Sequence, residues 1–148
     1  MADLVFNIAK GKVKYYCELL AASDAFIAIP LEATGIEADS TIKDYDDVST
    51  LLAGTSNEQT TMGRKTISAS VTVTVDDTND RVDIDIPDQV WTAATGNAVS
   101  DILIAYDGDT GTGTDANLTP LTMHDFSVTP DGSDITAVIA TAGFFRAS

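Results

Sequence analysis

The chain has 148 residues, enough for one domain with a modest hydrophobic core. Its 23 acidic residues against 8 basic ones leave a net charge of −15, which argues against nucleic acid and anionic membranes as partners, because phosphate binding needs clustered cations. Cys17 is the sole cysteine, which excludes an intrachain disulfide, and no apolar run is long enough to span a bilayer.

Met1-Ala2-Asp3 lacks the basic start of a secretory signal, so a cytosol-like compartment is expected. Val5, Ile8, Ala9, Val13, Tyr16, Cys17 and Leu20 recur at spacings of three and four, which predicts a helix over Ile8–Ala21 with Asn7 as its cap. Gly11 weakens that helix, and the alternation of Leu4, Phe6 and Ile8 allows a short strand before it. Ala25–Leu31 is apolar and β-branched and reads as a buried strand, with Pro30 expected at its end or on an edge. Asp44–Ala53 carries Tyr45, Val48, Leu51 and Leu52 at helical spacing and stops at Gly54, and the polar segment Thr55–Gly63 reads as a loop.

The clearest pattern lies in the middle of the chain. Val71, Val73 and Val75 alternate with threonines, Val82, Ile84 and Ile86 alternate with aspartates, and Asp76–Asp80 between them is rich in turn formers, which predicts a β-hairpin with one buried and one wet face. Val90-Trp91 opens a further strand, Thr95-Gly96-Asn97 is a turn, and Ala98–Tyr106 is a strand buried on both sides toward its end. Asp107–Asn117 is a loop, Leu118–Val128 a strand, Pro130-Asp131-Gly132 a turn and Ile135–Thr141 a strand, while Gly143-Phe144-Phe145 is apolar enough to dock. Helices followed by a run of strands imply an α+β domain, mainly an antiparallel β sandwich or barrel with an N-terminal helix and one short helix.

Catalytic chemistry has little to work with. The single histidine, His124, stands beside Asp125, but neighbours on a strand point to opposite faces, and Cys17 belongs to an apolar helical pattern. Asp107 and Asp109 among glycines, and Asp76 and Asp80 in the hairpin turn, are candidate Ca²⁺ ligands, although neither segment completes an EF-hand loop and short acidic side chains are ordinary in turns. One cysteine and one histidine speak against zinc, and no cofactor is implied. Trp91 is read as a core anchor rather than a sugar platform. Cations are scarce and uneven: Lys10, Lys12 and Lys14 lie together near the start, and none occurs between Arg81 and Arg146. Lys10, Lys12, Lys14 and Tyr15, with Phe144, Phe145 and Arg146, combine aromatics with those cations and are the candidate contact residues, against the alternative that both segments are solvated surface or ordinary core.

Several phrases taken together carry a resemblance: Phe6-Asn7-Ile8-Ala9-Lys10-Gly11-Lys12-Val13, Ala53-Gly54-Thr55 with Gly63-Arg64-Lys65, Asp76-Asp77-Thr78-Asn79-Asp80-Arg81 and Trp91-Thr92-Ala93-Ala94-Thr95-Gly96. Leu103-Ile104-Ala105-Tyr106-Asp107, Pro120-Leu121-Thr122, His124-Asp125-Phe126 and Ala142-Gly143-Phe144-Phe145-Arg146-Ala147 complete it. The set resembles small virion proteins of tailed phages that infect actinobacteria, over nearly the whole chain. The resemblance implies a non-enzymatic virion role for residues 1–148, as a decoration (cement) protein on the capsid exterior, made in the bacterial host cytoplasm. It further implies the major capsid protein as partner and self-association as a homotrimer. Its motifs are structural, so no site residues carry over. A tail or head–tail connector subunit is the first alternative. A Ca²⁺-dependent binding module and an enzyme with an unrecognised site are alternatives of other classes.

Overall fold

The computed structural model describes residues 3–20 and 23–148. The fold is α+β and sandwich-like, dominated by antiparallel sheet, as the strand pattern predicts. Its main sheet runs β1 (Leu4–Val5), β8 (Leu118–Val128), β7 (Val99–Asp107), β2 (Ala25–Glu32) and β3 (Lys65–Ile67). A second sheet is β10 (Phe145–Ala147), β5 (Arg81–Asp85) and β4 (Thr72–Asp76), and β6 (Gln89–Trp91) pairs with β9 (Ile135–Ala137).

β2 and β7 form the centre. Every residue of Ala25–Leu31 is buried, so both faces of β2 are covered, which is why this strand reads as a continuous apolar run rather than an alternation. In the β2–β7 register Ala28 meets Ile104 and Ile29 meets Leu103, so neighbouring residues feed opposite faces of the sheet. Pro30 is tolerated inside β2 because β3 pairs only with Phe26–Ala28. Its carbonyl accepts from the Gln59 amide at 2.8 Å, so the missing N–H points the same way, past the end of β3 and away from β7. Pro30 therefore lies inside a central strand, not at an end or on an edge, beside the Leu31–Glu58 bridge that continues this side after β3.

The N-terminal helix is shorter than its periodicity predicts. A 3₁₀ turn over Asn7–Ala9 and a helix α1 (Val13–Glu18) replace one continuous helix, because Gly11 adopts φ +73°, outside helical space. Asn7 does not cap α1; its side-chain amide donates to Asp44 instead. Ala21, the last residue of the expected helix, lies outside the described residues. The alternation of Leu4 and Phe6 is realised, as Leu4 pairs with Met123 in β1 and Phe6 is fully buried.

The helix expected over Asp44–Ala53 is likewise shortened at its start. A short α2 (Asp39–Ile42) precedes it, and α3 (Val48–Ala53) starts only after Asp47, whose carboxylate accepts from the Thr50 amide at 2.7 Å. The strand expected over Ile135–Thr141 stops at Ala137; Val138 is 74 % exposed, and the Ile139 amide turns away to the Asp88 carboxylate. Likewise Trp91 ends β6 rather than opening a strand. Its indole is buried, donates to the Gly63 carbonyl at 2.8 Å and lies beneath the Lys65 ammonium, so it is a core anchor.

Candidate functional site

The N-terminal lysine segment is a surface. Lys10 and Lys12 are exposed, and Tyr15 is 57 % exposed with its ring edge-on to Tyr16. Tyr16 in turn lies against Tyr106, whose hydroxyl donates to Asp24 at 2.7 Å; burial and then that bond push the Tyr106 phenol up to about 12. The inner end of this aromatic row is therefore fixed, and Tyr15 is its solvent end. Lys14 is tied to Glu18 one helical turn on, whereas Lys10 and Lys12 enter no ion pair among the described residues. Sequence spacing alone does not associate Lys43 with this end, but the Asn7 amide bonds its carbonyl at 2.9 Å.

The arginines behave differently. Arg64 donates to Glu58 and to Asp115, which is 51 residues away, and these two carboxylates hold its guanidinium above its ordinary range. Arg146 is bonded to Asp83, and Arg81 lies between Asp76 and Asp83. Bonding to Arg146 keeps the Asp83 carboxyl below its usual value. These cations are spent on the fold, and nothing in the linear sequence signals the Arg64 clamp.

The C-terminal contact segment needs correction at Phe144. Its ring is buried, 5.9 Å from the Phe26 ring and edge-on to it, because Gly143 at φ +85° turns the chain inward across Ile84. Phe145 is half-buried opposite Ile84 in the β10–β5 ladder, and beyond it Arg146, Ala147 and Ser148 are exposed. The lysine segment and Phe145-Arg146 thus belong to different elements.

The candidate calcium ligands lie in two separate turns. The Asp76 carboxylate accepts from the Thr78 and Asn79 amides and from the Asn79 side chain, and these bonds lower its pKa. Asp80 closes the same turn at φ +50°. Asp107 is buried and accepts from the Asp109 amide, and Asp109 accepts from that of Gly111. Among the described residues no three Asp, Glu, His or Cys side chains converge as a metal-binding group.

His124 lines a cleft of about 240 Å³ between the main sheet and the C-terminal segment, walled by Ala28, Ile102, Ile104, Phe126 and Phe144. Its Nε2 is 2.9 Å from the Thr122 hydroxyl and its Nδ1 3.6 Å from the Asp3 carboxylate. Burial lowers the imidazole pKa, and Asp3 only partly opposes this. Cys17 is buried elsewhere in the core, and desolvation pushes its thiol up to about 12, so it is not an activated nucleophile. Another carboxyl the sequence does not single out is Asp101, buried, bonded by Ser100 at 2.6 Å on one oxygen and, among the described residues, with no hydrogen bond to the other; burial raises its pKa. In comparisons with known proteins, no family model, no curated protein and no solved structure matches this chain.

Proposed function

We propose that this chain is a structural protein of a phage virion, attached to the outside of the head as a decoration protein with the major capsid protein as its partner. The resemblance of its motifs to small virion proteins supports the reading. The observation that carries it is the exposed Lys10–Lys12–Tyr15 segment: two cations with no ion pair among the described residues and an exposed aromatic ring within five positions, on a molecule of net charge −15. Such a patch suits attachment to an acidic, partly apolar neighbour, while the surrounding negative charge keeps free copies apart before assembly.

The test is cryo-electron microscopy of the purified virion, with a binding measurement on heads prepared without this protein. Repeated density on the capsid exterior is expected, together with weaker attachment of a Lys10→Glu/Lys12→Glu variant and weaker attachment at high salt. Density at the neck or tail would replace this reading with the connector reading, and density nowhere on the particle would end both.

A further inference from the structure

Sheets expose backbone donors and acceptors at their edges, and proteins shorten or cover such edges. Most edges here are short: β1, β3, β6, β9 and β10 run two or three residues. The outer side of β8 is met by β1, by the Phe6 amide on the Leu121 carbonyl, and by the Asp3 carboxylate on the Asp125 amide. β4 differs. It runs five residues, pairs with β5 on one side and has α1 packed near it, yet among the described residues it has no strand or backbone hydrogen bond on its other side. It contains no proline, no lysine and no bulge that would blunt it.

The sequence of this edge has a property that its hairpin does not require. Val71-Thr72-Val73-Thr74-Val75 reads the same in both directions. Two copies placed antiparallel about a two-fold axis through Val73 set Val71 against Val75, Thr72 against Thr74 and Val73 against its own counterpart. Every pair is then like with like, valines on one face and threonines on the other, as cross-strand pairing favours. Asp76 and Asp77 fall outside this pairing, because Ser70 at φ +60° turns the chain out of the strand and Asp77 lies in the hairpin turn, so no carboxylate opposes another. The valine face is the core-facing one, since Val71, Val73 and Val82 pack on the core, yet Val75 at its end is 58 % exposed. Val75 borders an open hollow that it shares with Asp76, Asp77, Asp80 and Arg81, so the end of this edge is wet and charged.

We infer that β4 is a self-association edge, through which two copies of this chain join antiparallel into one continuous six-stranded sheet. The inference goes beyond the virion reading and does not depend on it. Charge sets its conditions. Two bodies of −15 repel, so the dimer forms at high salt and weakens at low salt, the reverse of the salt response expected for attachment through the lysine patch.

The experiment is sedimentation velocity of the whole chain at low and high salt, with a thermal melt for each variant. Wild-type protein is expected to be dimeric at high salt. Thr72→Glu/Thr74→Glu, at two exposed positions, places like charges opposite each other at both threonine pairs and is expected to abolish the dimer. Val73→Cys is expected to cross-link two chains under mild oxidation, because only residue 73 meets itself, whereas Val75→Cys should cross-link far less. The buried Cys17 does not compete. A wild-type protein that stays monomeric at high salt, a trimer, or a dimer untouched by the glutamates would overturn the inference. So would equal cross-linking at residues 73 and 75. Should the glutamate variant fail to fold, the two cysteine variants decide the register alone.

Discussion

The main sheet and the β4–β5–β10 sheet are both antiparallel and both rich in β-branched residues, yet they are stabilised by different means. β2 and β7 are buried on both faces, and Ile27, Ile29, Leu103 and Ala105 each sit among other apolar side chains. In the smaller sheet only Ile84 is fully buried, and the wet face is held by charge, with Asp83 serving both Arg81 and Arg146. One region rests on area removed from water, which is worth roughly 25 cal/mol per Å² and is not screened by salt. The other rests partly on half-buried ion pairs at its surface, which contribute modestly and weaken as salt rises. The central sheet is thus the more deeply buried of the two, and the less buried one carries the outer edge of β4.

Substitutions break this comparison in graded steps. Leu103→Ala, at a fully buried position in the middle of β7, is expected to cost about 3 kcal/mol by urea unfolding, since the cavity adds to the lost transfer energy. Arg64→Ala removes the clamp on Glu58 and Asp115 and is expected to cost about 2 kcal/mol, with most of the loss persisting in high salt because Glu58 is largely buried. At the other extreme Val75→Thr, on the exposed end of β4, is expected to change monomer stability by less than about 0.5 kcal/mol at low salt. A large loss from that last change would mean that the smaller sheet is as tightly packed as the main one.

Between these lies a pH effect at the seam of the two regions. His124 has a folded pKa below its ordinary value of about 6.5, so the unfolded chain binds the proton more readily. Stability from this group is complete above that value and declines as pH falls from it toward the lowered folded pKa. Thermal melts across this window are expected to show a steeper fall for the wild type than for His124→Gln. Parallel curves for the two proteins would remove His124 as the cause. Asp101 has the opposite sign, a carboxyl raised by burial, whose ionised form is penalised in the fold as pH rises through its raised value.

Much of the fold was legible in the residues. The hairpin of β4 and β5 arises from strict alternation broken by a run of Asp and Asn, and its register pairs Val73 with Ile84 and Val75 with Val82 as that alternation requires. The buried character of β2 and of β7 arises from apolar runs too short for helices. The N-terminal helix was overestimated because periodicity registers which residues face the core and does not see a glycine at φ +73°. Lys10, Lys12 and Tyr15 were legible as surface from their chemistry. For Phe144 the sequence left contact and core both open, because its burial depends on a turn at Gly143 and on Phe26, more than a hundred residues earlier.

What the sequence determined by itself, then, was local: periodicity, turn chemistry and net charge, each set by residues within a few positions of one another. Tertiary structure alone decided the rest. It tied Arg64 to Asp115, set Asp3 beside His124, placed Gln59 inside the core with its amide on the Asn97 carbonyl, and left β4 at the end of its sheet. Those outcomes depend on which buried polar groups find partners once the sheets have closed, and chain distance carries no information about that.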